Sequence, residues 1–588
     1  MTVTGGTPKD RARLLRLLEV LGLLLAPALV FFLLGEQGMT NTNIEDQRFY
    51  QAYAEHGDDL MLRLGNYRYY WVRLAFILPS RVTYDLFGAV GGFFVLRYLL
   101  VLLAIVPAYL LLRRLYGIGA GAVAVAAVLS SPVLLYAWGT DYPDSSSVSY
   151  LIAGTACLFM PVRGERRARA RVGWLVLAGI AGGLAIHSQF LSAPLVAVAW
   201  AVHVVLQLRT DRRAALRASL ILAGCAIVVT GLLSLVALVM WGRADIISPT
   251  ITAAQHFRTP NELRKWHSPN WHWVLRNTYL VIPLLTPALW AVTVRGRLSA
   301  YRVELALALT GLLQMLLFSY LQFFAITCEL EYHVYSSMLW SSTVLVMAVA
   351  VVRICLPVLR SVRTAWLPAA LVLGVPYLMT FVRDHVHFRL LAGFAVAAVL
   401  LVVVWAGTRW LSGPVVAAGL ALLAIGASYA ITTAEPPGQT WLNQQRHFPQ
   451  PDYAHALRNG GAWHAQEDSY RLVAQLNAAM PQATRAGQLL LTWFGQGDAV
   501  SSDLTTQYLW TPQSLFADLP ALSLGDQNIL AYRHAKTLAL FGPDPGQLAQ
   551  AVTALQAAGF RPTVSLRKLL SAGSLSDNVW VVQLGARV

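Results

Sequence analysis

Long apolar runs separated by short polar segments extend from residue 14 to residue 433. Each run is about 20 residues long, which is the length that an α-helix needs to cross the hydrocarbon core of a membrane. The pattern predicts about thirteen membrane-spanning helices. They are placed near 14–35, 88–112, 118–138, 145–161, 172–190, 191–208, 218–241, 274–294, 302–324, 334–352, 365–382, 389–408 and 411–433.

The composition agrees with a membrane protein. Only 13% of the residues are charged and 56% are hydrophobic, whereas soluble domains average about 25% charged residues. The net charge of +16 is also found in nucleic-acid-binding proteins, but here the basic residues lie in short segments between apolar runs. No basic stripe with interleaved aromatic residues is present in the sequence. We therefore expect no nucleic-acid partner.

Lys and Arg are distributed unevenly between alternate loops. If the N-terminus is cytoplasmic, the inner segments hold about twice as many basic residues as the outer loops, in about half the length. The positive-inside rule favours this orientation. An odd number of spans then places the C-terminal region outside. We expect a multi-pass protein of the bacterial plasma (inner) membrane, with a cytoplasmic N-terminus and an extracytoplasmic C-terminal domain.

The composition changes at Glu435, where a Pro-rich linker leads into a polar segment of about 140 residues. This segment contains two predicted helices, Gln466 to Met480 and one starting at Asp544-Pro545, and two predicted strands, Gln488 to Phe494 and Val579 to Leu584. The predicted fold class is an α-helical polytopic membrane protein with a small extracytoplasmic α/β domain. The membrane domain is placed at 1–433 and the α/β domain at 434–588.

The first outer loop, residues 36–87, combines an acidic pair with aromatic residues at helical spacing. The pair is Glu45 and Asp46; the aromatic residues are Phe49, Tyr50 and Tyr53, and then Tyr67, Tyr70 and Trp71, followed by Leu74. Aromatic amphipathic helices of this kind lie in the membrane interface. Thr42 and Glu45 also fit a capping box. A structural role for the acids and a role as general base are therefore both open.

Other polar residues are predicted to face the same side or the membrane interior. They are Asp141 and Asp144 in the second outer loop, Arg97 inside the second span, Arg258, Arg264 and Lys265 in the long loop 242–273, and Glu331, Tyr332 and His333 before the tenth span. An acidic residue next to the bilayer, or a charged residue inside it, costs free energy unless it is solvated or paired. Arginine is well suited to a lipid phosphate. Structural pairs and a solvated surface remain open for each of these residues.

Three stretches carry a resemblance to a known family. The acidic pair followed by the aromatic run, then Phe94-Val95-Leu96-Arg97-Tyr98, then Leu111 to Gly117, resemble the GT-C superfamily of membrane glycosyltransferases. Its members include protein O-mannosyltransferases, aminoarabinose transferases of lipid A and mycobacterial arabinosyltransferases. The resemblance is good over about the first 200 residues. Over the remainder it is limited to the general arrangement of the chain. The family usually has Asp-Glu or Asp-Asp at the loop, whereas this chain has Glu-Asp, so either acid is a candidate base.

The resemblance implies a glycosyltransferase whose donor is a polyprenyl-phosphate sugar. The reaction would be an inverting displacement on the outer face, toward a glycan, lipid or protein acceptor, with Glu45 or Asp46 as base. Asp141 and Asp144 would form a second acidic site. A divalent cation (Mg²⁺, Mn²⁺ or Ca²⁺) held by these four acids is an open alternative, because oxygen ligands suit hard cations; no other cofactor is expected.

Two other classes of function are open. A transporter or flippase of a lipid-linked substrate would be expected to show broken helices at matched positions of two repeats, and no such repeat is seen in the sequence. A non-catalytic membrane scaffold would be indifferent to replacement of Asp46.

Overall fold

The computed structural model describes residues 8–33, 50, 53–54, 69–139, 142–160, 168–257, 286, 289, 303–323, 333–355, 489–493, 537–541, 545–557, 559–572 and 575–585. The part of these residues that precedes residue 356 is helical. Its elements are α1 (Pro8–Leu33), a 3-10 turn (Tyr69–Val72), α2 (Leu74–Tyr116), α3 (Ile118–Leu129), α4 (Pro132–Gly139), α5 (Pro143–Phe159), α6 (Ala168–Ser188), α7 (Ser192–Leu208), α8 (Arg212–Trp241), α9 (Ser248–Phe257), α10 (Val303–Phe323), α11 (His333–Ala350) and a π-helical turn (Val351–Cys355).

Each predicted span that falls within the described residues overlaps one or two of these helices, although some bounds differ. Among the described residues, five helices are long and apolar enough to cross a membrane, or six if the bent pair α3 and α4 counts as one span. The predicted total of thirteen is not established, since the spans at 365–382, 389–408 and 411–433 lie outside the described residues. The span at 274–294 also lies outside them, apart from Thr286 and Leu289.

Two predicted boundaries are wrong. The second span was placed at 88–112, but α2 starts at Leu74 and is kinked at Gly88, whose φ of 74° is a conformation that glycine adopts readily. The part that can span the membrane is Gly91–Tyr116. The predicted span 118–138 is broken before Pro132, because proline disfavours helical backbone in the residue that precedes it. The two halves, α3 and α4, are bent by 64°.

Helix α5 lies at the centre of the bundle. All its residues are buried, and it packs against α2, α6 and α11. Glycines allow the neighbouring helices to approach closely, as is common in membrane bundles. A Cβ added at Gly179 of α6 would lie 2.7 Å from the Cβ of Cys225 on α8, and one at Gly182 would lie 2.6 Å from the Trp200 ring on α7.

Ion pairs hold the end of the bundle that contains Tyr116. Arg113 of α2 pairs with Glu19 of α1 at 2.9 Å. Glu304 of α10 is buried, accepts a hydrogen bond of 2.6 Å from the Tyr116 hydroxyl, and pairs with Arg353 of the π-helical turn at 3.5 Å. This end is the one that the sequence predicts to be cytoplasmic. Buried charges in a bundle are tolerated when they are paired in this way.

The described residues from 489 onward form a four-stranded mixed sheet and one helix. The elements are β1 (Leu489–Trp493), β2 (Thr537–Phe541), α12 (Pro545–Ala557), β3 (Arg561–Ala572) and β4 (Leu575–Gly585), in the sheet order β1-β2-β4-β3. β1 and β2 are parallel and the other pairs antiparallel, with an irregularity between Val564 and Leu566. The two predicted strands and the helix start at Pro545 are confirmed. The predicted helix Gln466 to Met480 lies outside the described residues.

Candidate functional site

Three loops predicted to be outer meet at the opposite end of the bundle, which we call the loop end. Tyr50 of the first loop lies edge-on to Tyr142 of the second, with ring centroids 5.2 Å apart. It also contacts Tyr70 at 5.1 Å and Phe76 at 6.2 Å. Tyr50 follows Asp46 by four residues and Tyr142 lies between Asp141 and Asp144. The contact therefore brings together the two loops that carry the acidic residues.

The third loop reaches the same place. The 3-10 turn Tyr69–Val72 packs against α9, and the Trp71 ring lies edge-on to Trp241 at the end of α8, at 5.9 Å. The start of α9 is fixed by Asp245, whose carboxylate accepts hydrogen bonds from the backbone N–H groups of Ile247 and Ser248 at 3.1 and 2.9 Å. Hydrogen bonds from Ser248 lower the pKa of Asp245. Arg258 follows directly after the end of α9.

The aromatic residues of the first loop are not placed as predicted. We expected them to lie half in the headgroup layer, but Tyr50, Tyr53, Tyr70 and Trp71 are buried within the protein. Tyr70 and Trp71 also belong to a 3-10 turn and not to an α-helix. The regular spacing of these aromatic residues reflects burial inside the protein. In the sequence, an aromatic stripe that faces lipid cannot be distinguished from one that packs against other rings. Through their ring contacts, Tyr50 and Trp71 connect the first loop to Tyr142 and Trp241.

Asp144 lies in the first turn of α5. Tyr142 precedes the helix in an extended conformation and Pro143 occupies its first position, both of which favour a helix start at this point. An acid in the first turn also interacts well with the helix dipole. The side chain of Asp144 is completely buried, and neither carboxylate oxygen has a hydrogen-bond partner among the residues that the structure describes. The side chain of Gln189 interacts with this carboxyl group.

Arg73 is the residue of the site that the sequence reading missed. It is buried, it precedes α2, and its carbonyl accepts hydrogen bonds from the N–H groups of Phe76 and Ile77 at 2.9 and 3.0 Å. Its guanidinium acts electrostatically on Asp144 of α5 and on His187 of α6. The sequence gave no reason to prefer it over the arginines at 63, 68 and 81 in the same loop.

Buried hydroxyl groups form a frame around Asp144. Ser146 hydrogen-bonds Ser188 of α6, and Ser188 donates to the carbonyl of Pro143 at 2.7 Å. Ser149 accepts a hydrogen bond of 2.8 Å from the indole of Trp138. The hydroxyl of Tyr150 donates to the carbonyl of Ala75 at 3.1 Å, which links α5 to α2. These hydrogen bonds join the first turns of α5 to α2, α4 and α6.

Arg97, the second predicted residue that the structure describes, is buried as expected for a charge in a span. It lies six residues after Gly91, about 9 Å along the helix at about 1.5 Å per residue. The other predicted site residues lie outside the described residues: Glu45, Asp46, Asp141, Arg258, Arg264, Lys265, Glu331 and Tyr332. His333 starts α11, and its side chain is likewise outside the described part.

The described residues contain no group of three or more His, Cys, Asp and Glu side chains that could hold a metal ion. The Arg73 charge beside Asp144 also opposes a divalent cation at that carboxylate, because like charges repel. The hypothesis of a cation at Glu45, Asp46 and Asp141 is untested.

No protein-family model matches the chain, and no curated protein matches it in sequence. Several solved structures are similar to the chain in fold. ArnT from Cupriavidus metallidurans bound to undecaprenyl phosphate has a TM-score of 0.52, covering 95% of this chain and 97% of that chain at 15% identity. Its apo state scores 0.49 at 17% identity, covering 96% and 97%. The mycobacterial arabinofuranosyltransferase AftD scores 0.44 at 16% identity, covering 96% of this chain and 40% of that chain. The first of these establishes a shared fold.

Proposed function

We propose that this chain, which has the GT-C fold implied by its sequence, is a membrane glycosyltransferase. It transfers a sugar from a polyprenyl-phosphate donor to an acceptor on the outer face of the membrane. The observation that carries the proposal is the contact between Tyr50 and Tyr142. It joins the loop of Glu45 and Asp46 to the loop of Asp141 and Asp144, with buried Arg73 acting on Asp144.

The geometry suits a substrate held in the membrane. Helix α5 has 17 residues, and at about 1.5 Å per residue it is about 26 Å long. The hydrocarbon core is about 30 Å thick, so Asp144 at the end of α5 lies near the membrane surface. A polyprenyl phosphate carries its phosphate and sugar at this depth. The similar ArnT structure contains undecaprenyl phosphate, which supports a donor of this class.

The reaction is a displacement at the anomeric carbon with inversion. Asp46 or Glu45 accepts the proton of the acceptor hydroxyl or amide as the acceptor atom forms its bond to that carbon. The bond from the anomeric carbon to the phosphate oxygen breaks, and its electron pair leaves with the polyprenyl phosphate. Glycans, lipids and proteins all supply such a proton, so each of these classes can serve as acceptor.

The leaving phosphate gains negative charge, so it needs cations nearby. Arg258, Arg264 and Lys265 are the candidates from the third loop, because they follow α9 in the sequence and α9 contacts the 3-10 turn. Arg73 joins them as a buried cation at the loop end. Arg97, buried deeper in α2, is a candidate for the same phosphate. Glu331, Tyr332 and His333 are proposed to orient the donor from the start of α11.

The experiment measures transfer by the purified full-length protein in nanodiscs, using undecaprenyl phosphates that carry glucose, galactose, mannose or arabinose. Asp46→Asn and Glu45→Gln remove the charge and keep the size of each side chain. We expect one of them to lower the rate by about 10²–10⁴-fold, the usual scale for general-base catalysis. Asp85→Asn is the matched control, because Asp85 is exposed and 3.9 Å from Arg81 on the same side of the bundle. Wild-type rates in both test variants would disprove the assignment, and a scaffold or flippase would show no transfer at all.

A further inference from the structure

We infer that a cavity at the end of the bundle opposite the loop end binds an anionic phospholipid by its phosphate. The cavity has a volume of about 490 Å³, within the range of about 300–1,000 Å³ that is usual for small-molecule sites. It lies where α2 ends and α3 begins, beside the end of α5 and the second turn of α6. The proposed transfer reaction takes place at the other end of the bundle, so this inference does not depend on the proposed function.

Two adjacent cations line the cavity. Arg113 and Arg114 lie in the last turn of α2, and none of the described residues that line the cavity is acidic. Arg113 pairs with Glu19 of α1 at 2.9 Å. A guanidinium has five N–H donors, so this pairing leaves Arg113 with donors for a second anion. Arginine binds phosphate oxygens well because its planar fork matches their geometry.

The start of α3 adds to the positive potential of the cavity. Gly117 joins α2 to α3 with a φ of 96°, and Gly117 and Ile118 both line the cavity. No side chain caps the start of α3, and its first turn carries no acid. The first N–H groups and the dipole of a helix favour a negative charge. The helix start therefore supports the two arginines in attracting an anion to the same cavity.

The remaining walls of the cavity are apolar and indicate that the phosphate belongs to a lipid. They are formed by Leu110, Ile118, Met160 and Trp174. Trp174 lies near the start of the candidate span Ala170–Ser188, a position at which tryptophan is typical of the membrane interface. A free phosphate ion gains nothing from apolar walls, whereas the glycerol and first acyl carbons of a phospholipid pack against them. Basic pockets between transmembrane helices bind anionic lipid headgroups in other membrane proteins.

The test is thermal unfolding of the full-length protein in detergent micelles with increasing amounts of phosphatidylglycerol. A ligand that binds the folded protein raises its unfolding temperature, and we expect this for phosphatidylglycerol but not for phosphatidylcholine or inorganic phosphate. Arg114→Gln should require about tenfold more phosphatidylglycerol for the same shift, because it removes a hydrogen bond to a charged group. Arg217→Gln is the matched control, since Arg217 is an exposed arginine near the start of α8 that does not line the cavity. It should behave as the wild type.

Four outcomes would overturn the inference. An equal shift with phosphatidylcholine would show that charge is not recognised, and an equal shift with inorganic phosphate would indicate a soluble anion. An unchanged requirement for phosphatidylglycerol in Arg114→Gln would exclude the cavity as its site. If Arg114→Gln instead weakened stabilisation by undecaprenyl phosphate alone, the cavity would hold a polyprenyl lipid. Should Arg114→Gln not fold, Ile118→Trp occupies the apolar part of the cavity and keeps both arginines; it should also raise the lipid requirement, and an unchanged requirement would overturn the site.

Discussion

The contact between the two acidic loops can be broken at Tyr50. Its ring makes three edge-to-face contacts, with Tyr70, Phe76 and Tyr142, and such contacts contribute about 0.5–1.5 kcal/mol each. Together they stabilise the meeting of the loops by about 1.5–4.5 kcal/mol. Truncation of a buried aromatic residue to alanine costs about 3–5 kcal/mol, which agrees with the upper part of that range.

Tyr50→Ala should therefore separate Glu45 and Asp46 from Asp144 without removing any of them. A misplacement of about 1 Å can lower a rate by about 10²-fold, so we expect kcat/KM to fall by about 10²-fold. Tyr50→Phe keeps all three ring contacts and loses only the hydroxyl, whose hydrogen bonding contributes about 0.5–1.5 kcal/mol net. It should retain transfer within about tenfold.

The assay is transfer by protein in nanodiscs, at a temperature at which each variant is folded by its thermal unfolding curve. Phe159→Ala is the matched control, because Phe159 is a buried ring at the far end of α5, with His203 at 6.0 Å. It should lower stability by a similar amount and leave kcat unchanged. If Tyr50→Ala is destabilised but transfers sugar at the wild-type rate, the meeting of the two loops is not required for catalysis.

Four further outcomes are expected. Glu304→Gln removes the buried carboxylate that pairs with Arg353, whose side chain is 38% exposed, and loss of this charge-assisted pairing should lower the unfolding temperature; an unchanged value would contradict the pairing. Gly179→Val should reduce the yield of folded protein, because even a Cβ would lie 2.7 Å from a neighbouring helix; wild-type yield would refute close packing there. A cysteine at Gly460 should be labelled from outside intact cells, and labelling only after lysis would reverse the topology. Truncation after Thr433 should spare donor-lipid binding and weaken transfer to the natural acceptor, since we expect the Pro-rich linker to hold the following domain near the site; unchanged acceptor kinetics would leave that domain without this role.

The sequence predicted those helices whose positions follow from the length of an apolar run. The hairpin between α6 and α7 is an example, because each apolar run is close to a full span and only Gln189-Phe190-Leu191 separates them. The start of α2 was not predictable in the same way. The segment from Leu74 to Phe87 contains Pro79, Arg81 and Asp85 and resembles a polar loop, although its first residues are buried against the bundle.

A residue of the candidate site was predictable only where both its side-chain type and its position in the sequence indicated a function. Asp144 was recognisable because an acid beside an apolar run needs a reason to be there. Arg73 was not, because its importance comes from the effect of its charge on Asp144, 71 positions away in the chain. The domain boundary at 434 and the side of the membrane are predictions that the described residues do not test.

The complete burial of α5 has a consequence for how the protein is assembled in the membrane. A helix that begins Pro-Asp-Ser-Ser-Ser and has every residue buried by its neighbours gains little from entering the bilayer alone, because its first turns bring a carboxylate and three hydroxyl groups to the edge of the hydrocarbon. It becomes stable only when α2 and α6 surround it. The residues of the site are therefore brought together by the last steps of helix association, and changes in the packing of distant glycines should be felt first at the loop end.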